Sequence, residues 1–437
     1  KMASRHIRKL ARTSQTFPPV FLPPSEASNV NSKSYKHFME CGIIRPLSAG
    51  LYSWLPVGYR VIEKLTHIVD NEMSKINAQK MLLPSLIKST LWKQTDRLTQ
   101  ARPELFVLKD RHNTEYLLSP THEEQLCAAL SSMGTLSSKY LPLRLYQISS
   151  KWRDEMRPRT GFFRSREFLM KDLYTFDTDM ESAKKTYDSV CEAYHNIFQT
   201  IGIDFHKVAA DTGIMGGTIS HEYHYVTEFG DDTILSCPSC DYTVNENMSD
   251  NTKCPECKTE LNKYNALEVG HAFLLGTKYS KPMQVLIHAG NKRNPATMGC
   301  YGLGIDRIVT AAVEILSTND AIRWPKCLAP YTVCIIPPKV GSKEEAASQY
   351  VDEIVKILDE LNIDVILDDR TDLTLGRRMV LAEKAGYPYT IVIGRTAVQE
   401  NPLFEVHDVY KQKRNDMSLE SVYNYFKNVK NSIVFDE

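Results

Sequence analysis

KWRDEMRPRTGFFRSREFLMKDLYTFD, residues Lys151–Asp177, carries Arg153, Arg157, Arg159, Arg164 and Arg166 within fourteen positions. Glu155 and Glu167 stand beside them, and Phe162, Phe163, Phe168, Tyr174 and Phe176 are interleaved. The run Pro158-Arg159-Thr160-Gly161 forces a turn between two extended arms. The second arm, Phe168–Phe176, is apolar and aromatic enough for a buried strand. The stretch is therefore predicted to be a hairpin whose loop is loaded with guanidinium groups. Such groups suit bidentate binding of phosphate or carboxylate, and an exposed aromatic ring can stack on a base. A solvated, charged hairpin with an aromatic core face has the same local pattern, so the decision lies elsewhere in the chain.

At 437 residues the chain exceeds a single core, and two or three domains are expected. Apolar content of 42% and charged content of 24% are ordinary for a soluble globular protein. No run approaches the roughly eighteen apolar residues of a membrane span, so no membrane partner is expected. Net charge is zero, which by itself points to no nucleic acid. Before Glu26 there are Lys1, Arg5, Arg8, Lys9 and Arg12 and no acid, accompanied by Ser4, Thr13, Ser14 and Thr16. Residues 1–25 thus have the composition of a mitochondrial transit peptide or its remnant, and equally of a disordered basic arm or an expression scar. Ten cysteines, four of them in two Cys-x-x-Cys pairs, point to a reduced compartment and a metal knuckle.

Residues 17–31 read as a linker, and Tyr35–Gly42 as a short helix. Val61, Ile62, Leu65, Ile68, Val69, Met73 and Ile76 recur at helical spacing. Gln79–Leu86 reads as a strand that Pro84 confines to an edge or interface, either a dimer seam or an ordinary sheet edge. Leu105–Leu118 is a hairpin by its turn chemistry around His112-Asn113. Ser119-Pro120-Thr121-His122-Glu123-Glu124 starts a helix, with Thr121 and Glu124 spaced as a capping box. That structural role accounts for Thr121 and Glu124 and leaves Glu123 unexplained. A helix over about 182–201 carries one apolar stripe: Ala183, Tyr187, Val190, Tyr194, Phe198 and Ile201.

His221-Glu222-x-His224 lacks the two-residue gap of a zinc-protease helix, and no Walker loop occurs. Cys237-x-x-Cys240 and Cys254-x-x-Cys257, thirteen residues apart, suit a closed four-thiolate zinc site with a structural role. A reduced, metal-free hairpin is the alternative. His271 alone fits a core histidine. Gly299, Gly302 and Gly304 permit close backbone approach. Arg307 sits in the first turn of the helix that follows, the wrong end for the macrodipole, and so calls for an anion such as phosphate. After Trp324-Pro325 a βαβαβ order implies a parallel sheet. From Ala329 onward there are 13 Lys+Arg and 18 Asp+Glu, so RNA contacts there are expected to be local and base-directed.

Arg153-x-Glu155 with Arg164-x-x-x-Phe168 resembles motif 2 of class II aminoacyl-tRNA synthetases, and Gly302-x-Gly304-x-x-Arg307 resembles motif 3. The helix and strand ending at Pro84 resemble motif 1, the dimer motif. Pro120–Glu124, Arg166–Asp172, Glu268-Val269-Gly270-His271 and Gly299–Gly302 together resemble prolyl-tRNA synthetases of the bacterial and mitochondrial type. Asp368-Asp369-Arg370 and Gly386-Tyr387-Pro388 are similar to that family's anticodon-binding domain. The resemblance implies an α+β catalytic domain, an antiparallel sheet flanked by helices, over residues 26–328. It also implies a zinc-knuckle insertion at 233–262 and a C-terminal α/β anticodon-binding domain at 329–437.

The resemblance further implies a homodimer in the mitochondrial matrix that joins L-proline to tRNA(Pro) through prolyl-adenylate, using ATP and Mg²⁺. Arg153 would touch the α-phosphate and the proline carboxylate. Glu155 would accept from adenine, Phe168 would stack on it, and Arg164 and Arg307 would hold the outer phosphates. Thr121 and Glu123 would close on proline's ring nitrogen, and His271 and Cys300 would line the ring pocket. Asp369, Arg370 and Arg377 are the weaker anticodon candidates. Many bacterial members carry a long editing domain between motifs 2 and 3; here 130 residues separate Phe168 from Gly299, so no editing is expected. A threonyl, seryl or glycyl synthetase is the nearest rival. A synthetase-like binding subunit without activity would lack the phosphate-binding arginines that this chain keeps.

Overall fold

The computed structural model describes residues 10–17, 31–249, 252–289 and 292–433. Lys1, Arg5, Arg8 and Lys9 of the basic arm lie outside the described residues. Two compact units group residues 46–52 with 65–311, and residues 1–45 with 53–64 and 312–437. These groupings cut across the sequence divisions at 25/26 and 328/329.

The first unit is built on a nine-stranded sheet. Its strands are β1 (Gln79–Lys80), β2 (Leu143–Trp152), β3 (Glu167–Asp177), β4 (His206–Ala209), β5 (Ile219–Val226), β6 (Asp232–Ser236), β7 (Thr243–Asn245), β8 (Asn262–Gly276) and β9 (Thr297–Gly304). The spatial order is β5–β4–β7–β6–β8–β9–β3–β2–β1, with a further β5–β8 pairing. The central ladders β8–β9, β9–β3 and β3–β2 are all antiparallel. The opening stretch is thus the β2–β3 hairpin, with its arginine-rich loop between the two arms. The Gly-rich stretch is the central strand β9. The expected strand Gln79–Leu86 is broken in two: β1 pairs with β2, while Leu86–Lys88 joins a separate small sheet. Pro84 has no N–H to give a ladder, and Leu83 N turns instead to the Gln147 side chain at 2.9 Å.

Alternation along a strand sorts side chains onto two faces. Lys171, Leu173 and Thr175 of β3 share the back face with Tyr301 and Leu303 of β9. The 22-residue helix α2 (Met180–Ile201) covers that face, following α1 (Glu123–Ser132) in the chain. Its buried side includes Ala183, Tyr187, Val190, Tyr194, Phe198 and Ile201, the stripe expected from periodicity. Asp179 caps its start by accepting from Ser182 N, and Gly202 at φ 76 ends it in the left-handed region. The front face carries Phe168, Met170, Asp172 and Tyr174 of β3, Cys300 and Gly302 of β9, His271 and Phe273 of β8, and Gln147 and Lys151 of β2. Helix α3 (Ile305–Leu316) follows β9 directly and holds Arg307 in its first turn.

The second unit contains β10 (Val333–Ile336), α4 (Tyr350–Glu360), β11 (Val365–Leu367), α5 (Leu375–Ala385) and β12 (Tyr389–Val392), the expected βαβαβ with parallel pairing. Sequence reading missed the antiparallel pair β13 (Phe404–Asp408) and β14 (Lys413–Met417), and helix α6 (Leu419–Ile433). It also read residues 1–25 as an arm, whereas Ala11–Arg12 forms an edge strand parallel to β11. Leu10 and Ala11 pack against the apolar clusters of this unit, which explains the order at that point. No helix among the described residues is long and apolar enough to cross a membrane.

Lys171, on the back face, is fully buried between Tyr194 OH and the Tyr301 carbonyl. Burial lowers its pKa to about 7, against the pull of Asp172. Its folded value lies below its unfolded one, so the unfolded chain binds a proton that the folded chain lacks between about pH 7 and 10. Stability from this residue therefore rises with pH across that window, by at most about 1.4 kcal/mol per pH unit. In urea titrations at pH 7.0, 8.5 and 9.5, wild type is expected to gain on Lys171→Met as pH rises. A difference that stays flat with pH would refute this protonation behaviour.

Candidate active site

A cavity of 390 Å³ opens on the front face of the first unit. Its floor follows β9 from Cys300 to Gly304, about 13 Å at the strand rise of about 3.3 Å per residue. Gly302 keeps the floor open: a Cβ there would meet only the Met170 side chain, at 3.5 Å. Six of the expected residues are on the wall: Thr121, Arg153, Phe168, His271, Cys300 and Arg307.

Toward the Gly304 end the wall is cationic and aromatic. The β2–β3 ladder continues through Arg153 N to Arg166 O at 2.9 Å, which aims Arg153 at the front face. Its guanidinium lies over the Phe168 ring, 5.3 Å from the centroid. Loss of hydration and the nearby charge of Arg307 hold the Arg153 pKa below its ordinary value. Arg307 donates to the Glu268 carbonyl at 2.9 Å, and its guanidinium is 4.0 Å from that carboxylate. The β5–β8 register shifts between Tyr223 and His224, leaving Val269 opposite no partner. That bulge brings Glu268 beside His271 on the cavity side. Burial would raise the Glu268 pKa, but the hydrogen bond from His271 and the charges of His271 and Arg307 lower it to about 2. His271 has both ring nitrogens engaged, with Glu268 at 3.1 Å and Ser220 at 2.6 Å, and its ring stacks on Phe273 at 3.8 Å. It therefore offers the cavity a ring and not a free nitrogen. Glu155 and Arg164, expected at ATP, stand off this wall and pair with each other at 3.4 Å.

Toward the Cys300 end the wall hides a carboxylate. The Thr121 hydroxyl donates to Glu123 Oε2 at 2.7 Å, and the Cys300 thiol to Glu123 Oε1 at 3.0 Å. Burial, reinforced by Glu123, pushes the Cys300 pKa well up, so the thiol stays a donor. Glu123 lies one layer behind the wall. The capping box does not form: α1 has no side-chain cap at its start, and Glu124 turns to Arg97 and Thr95. What holds this loop is the sheet. Tyr174 OH accepts from His122 N at 2.8 Å and donates to Asp172 at 2.9 Å. Asp172 pairs with Lys151 at 2.8 Å and accepts from Gln147 at 3.0 Å. Burial opposes the Asp172 charge, but Lys151, His122 and Gln147 outweigh it and lower its pKa to about 2.

Residues 106–316 match the family described as "tRNA synthetase class II core domain (G, H, P, S and T)", and residues 332–429 match "Anticodon binding domain". The protein described as "Probable proline--tRNA ligase, mitochondrial" in Mus musculus is 46% identical over 387 residues, covering 87% of this chain and 82% of that one. The chain belongs to the class II proline–tRNA ligases. The ligase of Ehrlichia canis is 34% identical over 92% of this chain and 96% of its own. A prolyl-tRNA synthetase structure from Cryptosporidium parvum has the same fold at TM-score 0.76 and 18% identity, covering 92% of this chain and 77% of that one.

The remaining site residues of this ligase fall as follows. The four knuckle sulfurs come together: Cys237–Cys257 at 3.3 Å, Cys240–Cys254 at 3.5 Å and Cys240–Cys257 at 3.8 Å, none of them a disulfide. In the second unit, Asp369 accepts from Ser14 N and Oγ at 2.9 and 2.6 Å, and Arg370 pairs with Asp368 at 2.6 Å. Arg377 is exposed on the first turn of α5. Sequence reading missed Trp92, Arg97 and the segment Asp211–Met215, all on the cavity wall. Arg97 belongs to no motif; the only trace of it in the sequence was a Glu123 that capping did not explain.

Proposed function

We propose that this cavity joins the carboxylate of L-proline to the α-phosphate of ATP, and then passes the prolyl group to the terminal ribose of tRNA(Pro). The observation that carries this reading is the pairing, along one strand, of an Arg153–Phe168–Arg307 end with a Thr121–Cys300–Glu123 end. In the first step the proline carboxylate attacks the α-phosphorus and pyrophosphate leaves. Negative charge builds on the phosphate oxygens, and fixed cations lower that barrier most. Arg153, at the Gly304 end, holds both the carboxylate and the α-phosphate in line. Arg307 takes the outer phosphates, and the Phe168 ring supplies a face for adenine. Glu155 and Arg164 serve ATP once their mutual pair opens. Proline's ring nitrogen, protonated at neutral pH, lies toward Thr121 and Glu123, with His271 and Cys300 as walls. Mg²⁺ accompanies the ATP phosphates in this reading and is held with them.

Several finer readings go with this one. The homodimer follows from the motif 1 resemblance, and Leu82 and Leu86 beside Pro84 are exposed apolar side chains of that segment. The mitochondrial matrix is supported by the names of the relatives and by the acid-free basic stretch. The knuckle sulfurs fit zinc: four thiolates at about 2.3 Å from one ion stand about 3.8 Å apart, close to the spacings found. With no open position, that metal would brace the fold and leave the chemistry to the cavity.

Three experiments test these readings. ATP–pyrophosphate exchange should depend on proline alone among the amino acids. Arg153→Ala should cut it by at least about 100-fold while the chain stays folded. Phe168→Ala should raise the KM for ATP about 10-fold or more and spare that for proline. Normal exchange in Arg153→Ala would sink the assignment. Metal analysis should find one zinc per chain, lost together with several degrees of Tm in Cys240→Ser. A metal-free wild type of equal stability would remove zinc from the account. Lack of editing predicts that alanyl-tRNA(Pro) survives incubation with the enzyme, and its hydrolysis would overturn that reading.

A further inference from the structure

Beside the Cys300 end of the cavity, two carboxylates and one guanidinium are buried together. Glu123 and Glu124 have no side-chain exposure, and the Arg97 side chain is 5% exposed. Arg97 NH1 reaches Glu123 Oε2 and Glu124 Oε1, each at 3.1 Å. Its guanidinium lies 4.4 Å from the Trp92 ring centroid and 5.3 Å from that of Tyr279, and its NH2 meets Met215 Sδ at 3.1 Å. Asp96, at φ 58, makes the turn that brings both Thr95 and Arg97 to the carboxylates. Thr95 then donates to Glu124 Oε1 at 2.7 Å. Among the described residues, no other Lys or Arg forms an ion pair with either glutamate. Burial, with Glu123 alongside, pushes the Glu124 pKa up against the pull of Arg97.

The charges do not balance. Two carboxylates face one guanidinium among aromatic walls; Lys151 and Lys278 act on them only from beyond ion-pair distance, and a buried charge without a close partner is costly. The deficit opens only toward the cavity, where the Thr121 hydroxyl and the Cys300 thiol both point their hydrogens at Glu123. Glu124 holds the guanidinium from the far side. Only one of its nitrogens reaches Glu123, and that bond goes to Oε2. Oε1 is left to the thiol, to Thr121 and to a cation that enters.

We infer that Arg97 is a positioning residue for substrate binding: it keeps Glu123 aimed at the cavity, so that the secondary ammonium of proline joins the guanidinium beside the two carboxylates. The inference rests on the proline-activating reading of the cavity. Glu124 is part of the device, because without it the Arg97–Glu123 pair is already neutral and has no place for a second cation. With Arg97 gone and both glutamates kept, adjacent buried carboxylates share a proton at neutral pH. The shared proton takes the place of the ammonium, and proline binds poorly.

The test is ATP–pyrophosphate exchange with Arg97→Met, Glu124→Gln and the double variant, each checked for folding by thermal melt. Arg97→Met is expected to raise the KM for proline at least about 30-fold and leave the KM for ATP within about twofold. Its proline KM should fall as pH rises from 6 to 9, a dependence that wild type lacks. In Arg97→Met/Glu124→Gln the like charge is gone, and most of the proline affinity and the flat pH profile should return. If Arg97→Met does not fold, Glu124→Gln decides alone: its proline KM should rise several-fold with ATP unaffected. Equal losses toward both substrates, no rescue in a folded double variant, or an unchanged proline KM in Glu124→Gln would each overturn the inference. Wild type with no proline-dependent exchange would instead overturn the reading of the cavity itself, so the two failures are distinguishable.

Discussion

The Lys151–Asp172 ion pair is the interaction on which the catalytic unit hangs. Both groups are buried on the front face of the central sheet, and neither charge is tolerable there without the other. The pair also pins the register. Asp172 lies opposite Gln147 on β2 and Gly302 on β9. A slip of one residue would carry Asp172 under α2 and bring Lys171 to the front, exchanging every partner on both faces. From Asp172 the network runs through Tyr174 to the backbone of His122, and through Gln147 to Leu83 N. The loop that carries Thr121 and Glu123 is therefore suspended from the sheet by side chains. The helix that follows it contributes no cap.

That suspension explains how the cavity can be charged unevenly along its length. At the Gly304 end Arg153 keeps only an aromatic partner, while Arg307 is partly occupied by Glu268. Cationic capacity is left over. At the Cys300 end the carboxylates outnumber the guanidinium. In the proposed reading, a zwitterionic amino acid laid along β9 would meet spare cations with its carboxylate and a spare anion with its ammonium. Orientation is thus built into the wall before any shape-fitting of the ring. Gly302, the neutral front-face position between Cys300 and Gly304, separates the two ends.

Strand alternation was legible in the sequence, and it was enough to put Phe168, Cys300 and His271 on one face once the strands were paired. The pairing itself was not legible, because the glycines that make β9 a cavity floor also break up the apolar pattern of a strand. Glu123 was marked as unexplained, which was the correct signal, but its partner Arg97 lies 26 residues away in a polar segment without periodicity. Thr121 and Glu124 fitted a capping box by spacing, yet burial gave both side chains stronger partners: a carboxylate for one, a guanidinium for the other. In the second unit the parallel strands announced themselves as apolar runs. The exposed, charged β14 (Lys413–Met417) could not, because an edge strand that faces water on both sides carries no apolar pattern. Ala11–Arg12 was hidden by composition: two residues of a basic stretch become a strand only because β11 offers an open edge.

In the arginine-rich loop, most of the charge has a partner within the protein. Of its five arginines, Arg159 is consumed by Asp231 and the Phe229 carbonyl, Arg164 by Glu155, and Arg166 by Asp154 at 3.2 Å. The aromatics do the anchoring. Phe163 stacks on Phe229 at 5.7 Å, Phe162 packs on Tyr52 at 5.2 Å, and Gly161 N donates to Tyr52 OH at 3.0 Å. Phe229 and Asp231 lead directly into β6, the strand that ends at Ser236, just before Cys237. The loop is thus fastened to the segment that leads into the cysteine cluster. What remains at the tip is Arg157, exposed and without an ion pair among the described residues, beside the exposed Met156. A stretch that reads as a dense cationic surface thus leaves, without an ion pair among the described residues, one guanidinium on the cavity wall, Arg153, and one at the solvent-facing tip, Arg157.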